Sequence, residues 1–142
     1  MNDLHALIRR HLRFGWYALA CFSLLGVGLE LLHAFKQGFY LDVDNEARRL
    51  MWRLAHAHGT LLALVNIAFA CSLPHAGSDA RGLARLRRTS ACLLVAALML
   101  PAGFFLGGAF ASSADPNPLV ALVPAGAALL IAAAWATARS LR

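Results

Sequence analysis

Four apolar blocks, Phe14 to Leu32, Leu54 to Leu73, Ala91 to Phe110 and Leu119 to Ala138, constrain this chain more than any other feature. Each holds about 20 residues, the length a helix needs to cross about 30 Å of hydrocarbon. One formal charge, Glu30, falls inside them. The blocks do not alternate apolar with polar residues, which excludes β-barrel spans. Only 14% of the 142 residues are charged, against roughly 25% in a soluble domain. The expectation is an all-α integral membrane bundle of four antiparallel helices. It forms one domain over residues 1–142, with spans at about 14–35, 48–73, 90–110 and 118–138. Short connections favour up-down order.

The first block follows Arg9, Arg10 and Arg13. It is too long for a signal peptide and no small-x-small site follows, so it reads as a retained span. The net charge of +6 is a topology signal here rather than a sign of nucleic-acid binding. Nine basic residues belong to the N-terminus, the second loop and the C-terminus; four belong to the first loop and none to the third. That bias predicts an inner (plasma) membrane protein with both termini cytoplasmic. Cys21, Cys71 and Cys92 fall in the cytoplasmic halves of their spans, so no disulfide framework is expected and they read as small packing residues.

Leu4, Leu7, Ile8 and Leu12 recur at helical spacing among basic residues. They predict an amphipathic segment on the inner leaflet ahead of the first span. In the first outer loop, Gly38, Asp42 and Asp44 break the first helix, and Asp44 or Asn45 caps the second, which then runs close to 30 residues. Trp52, Tyr40 and Phe39 suit an interfacial aromatic belt. Pro74 to Thr89 reads as a turn plus a basic surface segment. Gly103 and Gly107 suit close backbone approach between spans three and four, or self-association.

Polar residues inside spans are costly and therefore informative. Glu30 and His33 share one face near the outer end of span one. His56 and His58 lie at similar depth on span two, flanked by Arg53 and Thr60. Residues two apart on a helix diverge by about 200°, so only one of the two histidines joins Glu30 and His33. Glu-x-x-His with a facing histidine resembles half of a carboxylate–histidine metal site. Glu30 paired with Arg53 or Lys36, in a purely structural cluster, is the plainer account. Asn66 reads as an interhelical hydrogen-bonding residue, and His5, His11 and His75 as surface residues on the cytoplasmic side.

The stretch from Leu54 to Asn66, with its Ala-His-Ala-His-Gly step at 55–59, resembles uncharacterised bacterial four-span membrane proteins carrying an Ala-His-x-His-Gly helix. It is also similar to the histidine-bearing helix of the haem–copper oxidase large subunit. That resemblance implies one axial haem ligand, His56 or His58, with His33 as its partner. The four-span layout, with Arg53 and His56, also resembles the glutathione-dependent membrane enzymes of eicosanoid metabolism. The asparagine and glutamate of their pattern are not in place.

Three functional expectations follow. In the first, the chain is a redox-accessory membrane subunit binding a haem or transition metal through His33 and His56 or His58, with Glu30 as ligand or orienting group. In the second, it is an assembly subunit packing against other membrane subunits without a cofactor. In the third, it is a small membrane enzyme acting on a lipid or quinone.

Overall fold

The computed structural model describes residues 2–42, 46–77, 79–111 and 115–141. The chain folds into α1 (Asn2–Ala34), a short α2 (Gly38–Leu41), α3 (Glu46–Ser72), α4 (Ala80–Ala109) and α5 (Leu122–Ala138). Single 3₁₀ turns occupy Leu73–His75 and Pro118–Ala121. Four of the helical segments are long and apolar enough to cross a membrane. The protein is a multi-pass, all-α membrane bundle, as its apolar blocks require.

α1 packs along α3, α3 along α4, and α4 along α5. Both described chain ends and the α3–α4 connection lie at one end of the bundle, called here the terminal end. Gly77 donates to the Ser140 carbonyl there, and Arg87 pairs with Asp3 at 2.9 Å. The distal end holds α2 and the α4–α5 connection.

The 33 residues of α1 span about 50 Å. Residues 2–13 are not a separate segment ahead of the first span but the first turns of α1. Leu7 is buried with Phe69, Leu73, Leu86 and Leu93, and Leu4 and Ile8 pack against that core. The apolar stripe that would suit a leaflet instead meets α3 and α4. The basic segment from Arg81 to Arg88 is likewise part of α4. Leu83 and Leu86 recur at helical spacing and pack into the same core, which draws the helix back to Ala80. Asp79 caps it, accepting from the Gly82 amide at 2.9 Å.

α1 ends at Ala34, and the left-handed residue that follows it is Lys36 rather than a glycine. Lys36 adopts φ 49°, its amide donates to the His33 carbonyl, and Gln37 donates to the Leu32 carbonyl. This satisfies the last carbonyls of the helix at the cost of a left-handed non-glycine residue. α3 begins at Glu46, whose carboxylate suits the positive end of the helix dipole. It runs 27 residues; Asp44 and Asn45, expected as its caps, lie outside the described residues.

Small residues set the interhelical distances. A Cβ at Gly103 would lie 2.9 Å from Val123, and one at Gly107 would lie 3.3 Å from Val120. On α5, a Cβ at Gly126 would lie 3.1 Å from the Leu100 amide. Gly103 and Gly107 are therefore covered by this chain's own last span. Cys92 packs against the core, whereas Cys21 and Cys71 are exposed rather than packed.

The aromatic residues at the distal end stack on one another. Trp52 stacks on Phe105 with ring centroids 5.5 Å apart and on Tyr40 at 6.3 Å. Its indole donates to the Phe105 carbonyl at 3.1 Å, and Tyr40 is buried. Phe39 alone of the three stays exposed. Trp52 seats itself over Gly108, which has no side chain to exclude it.

Candidate functional site

Two polar constellations arise from this packing. The first lies between α1 and α3 towards the distal end, where side chains of opposite charge face one lateral opening. A groove of about 800 Å³ is lined by Glu30, Arg53 and His56, with Val27, Leu31 and Leu54 making much of its apolar wall. A second hollow of about 430 Å³ adjoins it, and Glu30 and Arg53 line both. His33, Tyr40 and Arg49 complete the second hollow.

His56 reaches this groove because two glycines give way. Its ring lies over Gly26 of α1, and its Nδ1 donates to the Phe22 carbonyl at 2.7 Å. Phe22 in turn lays its ring over Gly59 of α3. The two helices exchange an aromatic ring for a glycine in each direction. The glycine three residues after His56 is thus explained by packing. Because the carbonyl can only accept, Nδ1 carries a proton, and in the neutral ring Nε2 is then the acceptor.

His58 diverges from His56. It half-buries against α4, with its ring 4.7 Å from that of Phe104, and its Nδ1 donates to the Leu54 carbonyl at 2.9 Å. It lines neither hollow. Glu30, His33 and Arg53 are exposed. Among the described residues Glu30 forms no ion pair, with Arg53, Lys36 or any other side chain. Arg49 pairs with Glu46 at 3.4 Å. Among the described residues, no three His, Cys, Asp or Glu side chains gather closely enough to hold a metal ion.

Tyr40 closes the distal side. Burial pushes its phenol above the usual value; Arg53 lowers it again and Glu30 raises it. The hydroxyl thus stays neutral, able to donate and accept.

The second constellation is one that the sequence reading missed. His11, expected at the surface, is fully buried. Its Nδ1 donates to Oδ1 of Asn66 at 2.7 Å, and Ser90 donates its hydroxyl to Nε2 at 2.7 Å. The Asn66 amide donates to the Leu62 carbonyl at 2.8 Å, which turns Oδ1 towards the imidazole and sets its tautomer. The Phe69 ring meets His11 edge-on at 4.7 Å. One side chain thereby ties α1 to α3 and α4. The signal was present in the spacing: His11 falls four residues after Leu7, on the stripe of Leu4, Leu7 and Ile8. Asn66 makes the interhelical hydrogen bond expected of it.

Compared with known proteins, the chain matches no family model, no curated protein and no solved structure. The geometry alone carries the functional reading.

Proposed function

We propose that this protein is a membrane subunit that holds an amphiphile in the groove between α1 and α3. One observation carries the reading. Glu30 and Arg53 line the same lateral opening with opposite charges and yet do not close on each other. In an apolar setting unpaired charges are costly, so a gap kept open between them favours a polar group seated there. The wall formed by Val27, Leu31, Leu50 and Leu54 suits an apolar tail. Arg53 supplies donors, while His56 Nε2 and Glu30 supply acceptors, and a lipid or quinone-type headgroup uses both.

The basic residues support an orientation with both termini in the cytoplasm of a cell with an inner membrane, nine against four. The groove then opens towards the outer half of the bilayer. The likeness to four-span proteins with an Ala-His-x-His-Gly helix belongs to this same reading.

A haem or transition metal at this place is the second reading, favoured by the tautomer of His56. An imidazole that donates from Nδ1 to a carbonyl presents Nε2 as a ligand. Glu30 lines the same groove, His33 lines only the adjoining hollow, and His58 faces away. With no three metal-ligating side chains gathered among the described residues, His56 would be the single axial ligand of a haem rather than part of a metal cluster.

Native mass spectrometry of the detergent-solubilised protein, with an absorption spectrum and metal analysis, tests both. A retained amphiphile, lost in Arg53→Ala, supports the first reading. A Soret band or stoichiometric metal selects the second. A bare protein in every measurement overturns both.

A further inference from the structure

The terminal end carries a site of a different kind. Arg81 and Arg85 of α4 and Arg139, just past α5, line one notch of about 220 Å³. A second hollow continues from Arg85 and Arg139 onto Trp135 and Ala136. All three arginines are exposed, and none forms an ion pair among the described residues. Asp79, the acid in the notch, already accepts from the Gly82 amide, which closes the helix N-terminus. The strap in which Gly77 donates to the Ser140 carbonyl at 3.2 Å holds Arg139 beside α4.

The surface leading to the notch is graded. Ile131, Trp135 and Arg139 recur every four residues, so they share one face of the last span. Ile131 is 69% exposed and Trp135 68%. Over about 12 Å this face passes from aliphatic to aromatic to cationic. That is the order a phospholipid presents from acyl chain through interface to phosphate. A soluble anion or a nucleic acid has no use for the apolar part of the column.

We infer that the notch binds the headgroup of an anionic phospholipid. The phosphate sits between Arg85 and Arg139, with Arg81 beside it, and an acyl chain runs along Trp135 and Ile131. This site is separate from the groove between α1 and α3 and stands or falls without it.

The test offers the full-length protein mixed micelles of equimolar phosphatidylglycerol and phosphatidylcholine, and reads retained lipid by native mass spectrometry. The parent retains phosphatidylglycerol preferentially. Each arginine removed weakens that retention about five-fold, so Arg85→Ala with Arg139→Ala weakens it about 25-fold. Arg85→Lys keeps most of it, and Trp135→Ala weakens it without a change of charge. Arg9→Ala with Arg88→Ala removes the same charge from the same end and leaves retention unchanged. Arg85→Gln replaces the alanine variant should the latter unfold. Three results would overturn the inference: no preference in the parent, equal loss in the Arg9/Arg88 control, or displacement of the lipid by millimolar inorganic phosphate with no dependence on Trp135.

Discussion

His11 and Asn66 stand 55 residues apart in the chain and 2.7 Å apart in the bundle. The bond between them, with Ser90 on the other ring nitrogen, joins three helices at a fully buried point. α1 and α4 otherwise meet at few places. The triad therefore supplies a polar tie between α1 and α4 at the terminal end, where α1 also packs along α3.

Removing one partner leaves a buried polar group unmet, a cost of about 1–3 kcal/mol. Asn66→Ala orphans the Nδ1 proton of His11, and His11→Ala orphans both Asn66 and Ser90. Both variants are expected to lower the thermal midpoint in detergent, with His11→Ala the more severe. A double-mutant cycle should show coupling on the order of 0.5–3 kcal/mol. Strictly additive losses would mean that the two side chains do not interact.

Much of the fold was legible before any coordinates. Four apolar blocks free of all charge but Glu30 dictate four spanning helices, and the 3.6-residue period dictates that His56 and His58 diverge. What was not legible depends on tertiary partners. The stripe of Leu4, Leu7 and Ile8 suits a leaflet and a neighbouring helix equally well, and only the presence of Phe69 and Leu86 opposite decides. His11 was missed for that reason. The sequence neighbours of Trp52 likewise do not reveal Phe105, on which its ring stacks. The gap between Glu30 and Arg53 depends on where two side chains from different helices come to rest, which spacing along either helix does not reveal.

The contact between α4 and α5 gives an ordered prediction. A Cβ at Gly103 meets Val123 at 2.9 Å and Leu122 at 3.0 Å, whereas one at Gly107 meets Val120 at an easier 3.3 Å. Gly103→Ala should therefore destabilise more than Gly107→Ala. Gly107→Leu should exceed Leu106→Ala, with a loss of about 1–3 kcal/mol, typical of overpacking. Chemical or thermal unfolding of the solubilised protein measures the series. Parent-like stability in Gly103→Leu would show that the helices are not held this close.

The proposed orientation makes a labelling prediction. In a background lacking the native cysteines, Gln37→Cys should react with an impermeant thiol reagent in intact cells. His75→Cys, exposed at the other end of the bundle, should react only after permeabilisation. The opposite pattern would place both termini outside and turn the groove towards the cytoplasmic leaflet.

The two histidines of α3 separate binding from packing. His56 lines the groove while its Nδ1 is held by the Phe22 carbonyl; His58 is turned onto Phe104. Arg53→Ala removes a charged donor from the groove, which typically weakens a bound polar group about 10- to 100-fold. His56→Ala should weaken retention of the amphiphile less, since a neutral acceptor contributes less than a charged donor. His58→Ala should leave retention at the parental level and lower stability alone, through the lost contact with α4. Gly26→Leu fills the space that the His56 ring occupies and should abolish retention, while Gly28→Leu, with open space around its backbone, should not. Retention read by native mass spectrometry, beside a melting midpoint for each variant, keeps the two effects apart. If His58→Ala loses the amphiphile and His56→Ala keeps it, the ligand lies against α4 and the groove between α1 and α3 is not its site.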